Sequence, residues 1–85
     1  MIDALREQIR AFILQNYLFT DDPSALGLED SLLGRGIVDS TGMLEIIFFI
    51  EEQLGVKVQD DEMIPDNLDG VNKIARFVES KRRAA

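Results

Sequence analysis

Hydrophobic and polar positions alternate along the chain with a helical period in three places. Ile2, Leu5, Ile9, Phe12 and Ile13 recur at spacings of three and four, with Arg6, Glu7, Gln8 and Arg10 on the other side. That stripe predicts an amphipathic helix from about Ile2 to Tyr17. Asp3 falls in its first turn, where the helix dipole favours a carboxylate. Thr20-Asp21-Asp22-Pro23-Ser24 is turn chemistry and ends it. A second pattern runs from Ser40, a good N-cap, to Leu54, with Gly55 as the stop. A third runs from Asp69, again a good cap, to about Ser80, with Val71, Ile74, Ala75 and Val78 as the buried stripe and Phe77 flanking it.

The intervening segments are not simple linkers. Between about Leu18 and Asp39 lie Leu26, Leu28, Leu32, Leu33, Ile37 and Val38. A connection this apolar is expected to pack on the core, and long ordered loops are often functional. Val56 to Pro65 reads as a loop or short helical turn, acidic at Asp60-Asp61-Glu62. Val56-Lys57-Val58 is too short to build a sheet. The expected architecture is all-α and fits one small domain over residues 1–85.

The second helix carries the most information. At about 100° per residue, Met43, Ile46, Ile47, Ile50 and Leu54 share one face, expected to be the core face. Ser40, Leu44, Phe48 and Glu51 fall on a flank that turns away from it, with Glu45 and Glu52 beyond. Leu44 and Phe48 are therefore candidates for partner contact, unless the long loop covers them.

Composition narrows the chemistry. The chain has 16 acidic and 9 basic side chains, a net charge of −7, and no His or Cys. Without His there is no Ser-His pair and no imidazole base near neutral pH. Without Cys there is no disulfide, thiolate nucleophile or Cys-bearing zinc site. The acidic balance disfavours nucleic acid and anionic lipid and favours basic protein surfaces. The longest apolar run, Ile46 to Ile50, is far short of the roughly 20 residues of a membrane span. No signal-peptide pattern opens the chain, so a soluble, cytoplasmic monomer is expected. Nine acidic residues and one basic residue lie from Asp39 to Asp69, against one acidic and five basic from Gly70 onward. Helix two and the loop after it should form an acidic face.

Most motif candidates fail. Gly34-Arg35-Gly36 lacks the third glycine and preceding strand of a dinucleotide site. Asp60-Asp61-Glu62 lacks the alternating ligands and central glycine of a calcium loop, so no metal is expected. Asp39-Ser40 remains. Ser40 as a plain cap is the ordinary reading. As a nucleophile it has no His to activate it. A third option is modification, because a helix N-terminus suits a phosphate.

Gly36-Ile37-Val38-Asp39-Ser40-Thr41-Gly42-Met43-Leu44-Glu45 resembles the attachment motif of the acyl carrier protein family. The likeness extends to the first helix, the apolar loop, the acidic second helix ending at Leu54-Gly55 and the final Val71-Asn72-Lys73-Ile74 helix. It implies a small four-helix acyl-carrier-like bundle of three main helices and one short one, with a long ordered loop between helices one and two. It further implies a non-enzymatic carrier. Ser40 would hold 4'-phosphopantetheine, donated by coenzyme A through a phosphopantetheinyl transferase, and cargo would ride on the arm's thiol as a thioester. Asp39 would contact that transferase or its metal. Leu44, Glu45, Phe48, Glu51 and Glu52 would meet partner enzymes, namely an acyl- or aminoacyl-activating ligase and synthases or acyltransferases with basic docking surfaces. Thr41 stands where most members have Leu, Met or Ile. Ser40-Thr41-Gly42-Met43-Leu44-Glu45 is similar to stand-alone D-alanyl and specialised carriers, with peptidyl carriers a further relative. The cargo is left open among fatty acyl, aminoacyl, D-alanyl and polyketide groups, and with it a place in fatty acid biosynthesis and lipid metabolism or elsewhere. Met43, Ile46, Ile47 and Ile50 could line an acyl pocket or be plain core.

Overall fold

The computed structural model describes residues 2–84, and among these it contains helices, turns and loops but no strand. Helix α1 spans Ile2–Ile13, α2 Ser40–Gln53, α3 Pro65–Leu68 and α4 Val71–Ala84. This is the small four-helix bundle that the resemblance implied. Leu5, Ile9 and Ile13 of α1, Ile46 and Ile50 of α2, and Val71, Ile74 and Val78 of α4 meet in one core cluster. The stripe expected on the last helix is buried throughout, and Phe77 joins it.

Helix α1 ends differently from expectation. Its α-helical part stops at Ile13, and the chain continues as a π-helical turn over Leu14–Leu18. The wider turn buries Leu14 directly after Ile13 and closes on Phe19, which adopts a left-handed conformation with φ 54°. Periodicity at 3.6 residues cannot foresee a turn of a different pitch.

The long connection is ordered by its own apolar and polar side chains. Leu26, Leu32 and Val38 are buried, and Leu28 and Ile37 pack partly against the core. Asp22 accepts the Ser24 N–H at 3.0 Å and caps a 3-10 turn over Pro23–Ala25. Asp30 accepts the Gly27 N–H at 2.8 Å and pairs with Arg35 at 2.7 Å. Ile37 and Val38 both donate their backbone N–H to the Leu32 carbonyl, which turns the chain into α2.

This loop is tied to the start of α4 through Asp69. Asp69, the expected helix cap, lies instead between α3 and α4 and is only 8% exposed. Its carboxylate accepts the Ser31 hydroxyl and, at 2.8 Å, the Leu33 N–H. The helix begins at Val71, one residue later than a cap at Asp69 would start it. Gly70 sits between with φ 150°, and a Cβ there would lie 3.1 Å from the Asp30 carbonyl oxygen. Only glycine accepts both that backbone geometry and that approach. Asn72 completes the seam. Its N–H donates to the Leu28 carbonyl at 3.1 Å, and its side chain bridges Arg6 and Glu29.

The far end of α4 runs past Ser80 to Ala84, so Lys81, Arg82 and Arg83 lie within its last turn. Arg82 donates to the Leu54 carbonyl at 2.8 Å, closing the end of α2. Lys81 pairs with Glu62 at 2.8 Å and lies over the Phe77 ring. The Lys81 ammonium, with the Gln59 N–H, holds the Glu62 carboxyl below the usual carboxylate range. The acidic Asp60–Glu62 segment forms a 3-10 turn, and α3 follows at Pro65.

A buried carboxylate holding two donors is costly to remove, because both donors are then left unpaired. We expect Asp69→Ala to destabilise the fold by about 2–3 kcal/mol, read as the shift in the urea midpoint. Asp66→Ala, on the exposed side of α3, should cost less than about 0.5 kcal/mol.

Candidate functional site

Helix α2 begins at Ser40, but Ser40 is not its cap. Asp39 takes that position with extended backbone geometry, and its Oδ1 accepts the Gly42 N–H at 2.8 Å. Ser40 is the first helical residue and is exposed, as are Asp39 and Thr41. The reading of Ser40 as a plain cap is therefore corrected: the preceding carboxylate closes the helix, aided by the dipole. Gly42 explains how the loop comes so close. A Cβ on Gly42 would lie 3.0 Å from the Val38 side chain, so the missing side chain lets buried Val38 pack under the helix start.

Leu44 and Phe48 are 62% and 65% exposed, so the long loop does not cover them. Glu45 and Glu52 are exposed on the same helix. Glu51 is not: it is half-buried, and its Oε2 accepts the Val58 N–H at 3.1 Å. It holds the next loop to α2 rather than standing on an open acidic strip. The buried arc of α2 also departs from the expected one. Met43 is only partly buried, while Phe49 is 8% exposed and stacks on Phe12 of α1 at 4.0 Å between ring centres. Helix α1 packs on that flank and draws the core toward it.

Two features stand near Ser40. The first is a cleft of about 260 Å³ between α2 and α3, lined by Ser40, Met43, Leu44, Ile47, Met63 and Ile64 among others; Met43 and Ile47 thus face a pocket, whereas Ile46 and Ile50 are plain core. Its signal was present as Met63-Ile64, two apolar residues inside an otherwise acidic loop. The second is Tyr17 at the end of the π turn. Its hydroxyl donates to Glu45 Oε1 at 2.6 Å, across the start of α2. Partial burial, then the hydrogen bond to Glu45 and the charges of Glu45 and Asp39, push the phenol well above its ordinary value.

Among the described residues, no group of three or more acidic side chains is placed to hold a metal ion. No described helix is long and apolar enough to cross a membrane.

The sequence was also compared with known proteins. D-alanyl carrier proteins of Streptococcus pyogenes serotypes M5 (strain Manfredo), M49 (strain NZ131) and M1 are each 33% identical to it over 67 residues, covering 79% of this chain and 84% of the relative. The chain belongs to the acyl carrier protein family. No protein-family model matches it. Membership makes this protein a carrier and not an enzyme, which suits a chain with no His or Cys to supply a nucleophile pair.

The cap assignment is open to a stability test. Asp39→Ala should cost about 1 kcal/mol, whereas Ser40→Ala should change the denaturation midpoint by less than about 0.5 kcal/mol. The Tyr17 phenol gives a second test. Its value is raised in the folded carrier, so its contribution is complete below the ordinary tyrosine range near pH 10. Above that range the unfolded chain ionises first, and stability falls as pH rises. Tyr17→Phe should lack that part of the alkaline loss when midpoints are compared across pH 9 to 11.

Proposed function

We propose that this carrier holds 4'-phosphopantetheine on Ser40 and presents acyl or aminoacyl groups as thioesters on that arm. The observation that carries the reading is the division of labour at the start of α2. Asp39 caps the helix, and Ser40 stands exposed one residue later. Its oxygen is not needed to close the helix, so it can enter a phosphodiester without unmaking the fold. In that step the Ser40 oxygen bonds to phosphorus, the pyrophosphate linkage of coenzyme A breaks, and the nucleotide half leaves. The hydroxyl proton passes to a base of the transferase as the bond forms. The helix dipole then favours the arm's phosphate at this end.

An aminoacyl cargo is the better supported choice, because the relatives are D-alanyl carriers. A small polar cargo of that kind needs no pocket of its own. The cleft between α2 and α3 adjoins Ser40 and would offer the arm an apolar bed. Exposed Leu44 and Phe48, flanked by Glu45 and Glu52, would meet the phosphopantetheinyl transferase, an aminoacyl-activating ligase and the acceptor enzyme. Each exposed ion pair contributes only about 0.2–1 kcal/mol. Several together speed encounter and select basic surfaces while leaving release fast. A carrier that visits several enzymes in turn requires that balance.

Intact mass after incubation with coenzyme A and a phosphopantetheinyl transferase tests the attachment. The arm's mass should appear on the wild-type chain and not on Ser40→Ala. An unmodified wild type, or a modified Ser40→Ala, contradicts the proposal. For docking, Glu45→Lys with Glu52→Lys should lower the kcat/KM of loading at low salt by roughly tenfold. The circular dichroism of the double variant should remain that of the wild type.

A further inference from the structure

The exposed side of α2 borders two clefts, and Leu44 stands between them. One is the bed beside α3. The other is a groove of about 490 Å³ between α1 and α2, and nothing in the attachment chemistry uses it. Its floor is the Phe12–Phe49 stack, with ring centres 4.0 Å apart and planes at 16°. One wall is Tyr17, edge-on to Phe12 at 6.1 Å, and the other is Phe48, 65% exposed. Its rim carries Glu45 and Glu52, and no cation is among its lining residues.

The π turn builds this groove. Such turns are uncommon and are often found at functional sites. Here the turn carries Tyr17 over to Glu45 and holds that carboxylate at the groove's edge by a 2.6 Å hydrogen bond. The cations of α1 do not neutralise the rim. Arg6 is engaged by Asp3 and Asn72, and Arg10 by Glu7 and the Pro23 carbonyl.

We infer that this groove seats a basic amphipathic helix of a partner enzyme, so that α1 as well as α2 forms the docking surface. The inference rests on the carrier reading and adds to it a second helix and a specific partner pattern. Glu45, Phe48 and Glu52 follow one another at steps of three and four, so they lie on one stripe. The two carboxylates are two turns apart, about 10 Å along the axis. A partner helix with Lys or Arg at positions i and i+7 meets both. A Leu or Phe at i+3 or i+4 then enters the aromatic floor. Charge selects the partner and the apolar anchor fixes its register.

The test is an amide chemical-shift titration of the wild-type chain with a synthetic helical peptide. The peptide has an Ala/Gln host, Lys at i and i+7, and Leu at i+3 and i+4. Saturable shifts should gather at Phe12, Asn16, Tyr17, Glu45, Phe48 and Glu52. They should vanish when the lysines become Glu or the leucines become Ala. Asn16→Lys, on the exposed face of the π turn, should weaken the peptide by about fivefold or more while leaving the helix signal unchanged. Shifts centred instead on Met63 and Ile64, wild-type affinity in Asn16→Lys, absence of saturation, or the same shifts from self-association without peptide would each overturn the inference. The two readings fail separately. A chain that loads its arm but seats no peptide loses only the groove. A chain that seats the peptide but takes no arm keeps the groove and loses the attachment.

Discussion

The seam between α3 and α4 holds the rest of this molecule in register. Asp69 is a carboxylate withdrawn from water, and it accepts the Ser31 hydroxyl and the Leu33 N–H. A buried charge is tolerated only when its hydrogen bonds are made. The long loop must therefore take the one path that delivers both donors. Gly70 lets the two backbones close to contact, and Asn72 adds a backbone bond to Leu28. With Leu32 fixed, its carbonyl collects Ile37 and Val38, and Val38 packs under Gly42. The start of α2 thus inherits its position from a carboxylate far along the chain. A carrier with a small core gains rigidity in this way where it is most needed, beneath the residue proposed to bear the arm.

Around that fixed point the surface is divided by task. Asp39 satisfies the helix end, so the neighbouring serine has no structural duty there. Leu44 and Phe48 remain exposed although apolar surface is costly in water. Glu45 and Glu52 stand exposed on the same helix and surround them with negative charge. Glu51, by contrast, is turned inward to the Val58 N–H and belongs to the scaffold. The weak, plural contacts proposed for this patch suit a carrier that must leave each partner soon after meeting it.

Much of this was legible in the sequence. The three main helices and the stop after Leu54 follow from periodicity and capping chemistry, and the exposure of Leu44, Glu45, Phe48 and Glu52 from their place on the helical wheel. What was not legible depends on long-range contacts. Asp69 has the composition of an N-cap, and nothing local reveals that Ser31 and Leu33 will claim it. Phe49 lies outside the apolar arc of an isolated α2 and is buried only because Phe12 stacks on it. The π turn changes the helical pitch itself, so a reading at 3.6 residues per turn misplaces Tyr17. The cap moved from Ser40 to Asp39 for a smaller reason: both residues can cap, and the loop geometry chooses between them.

The central claim is that the reactive group of this carrier is added to a chain that has none of its own. The sequence contains no Cys, so a thiol titration of the denatured protein is decisive. After loading from coenzyme A and removal of small molecules, the account predicts one thiol per chain in the wild type and none in Ser40→Ala. A loaded wild type with no titratable thiol, or a Ser40→Ala chain that gains one, would contradict it.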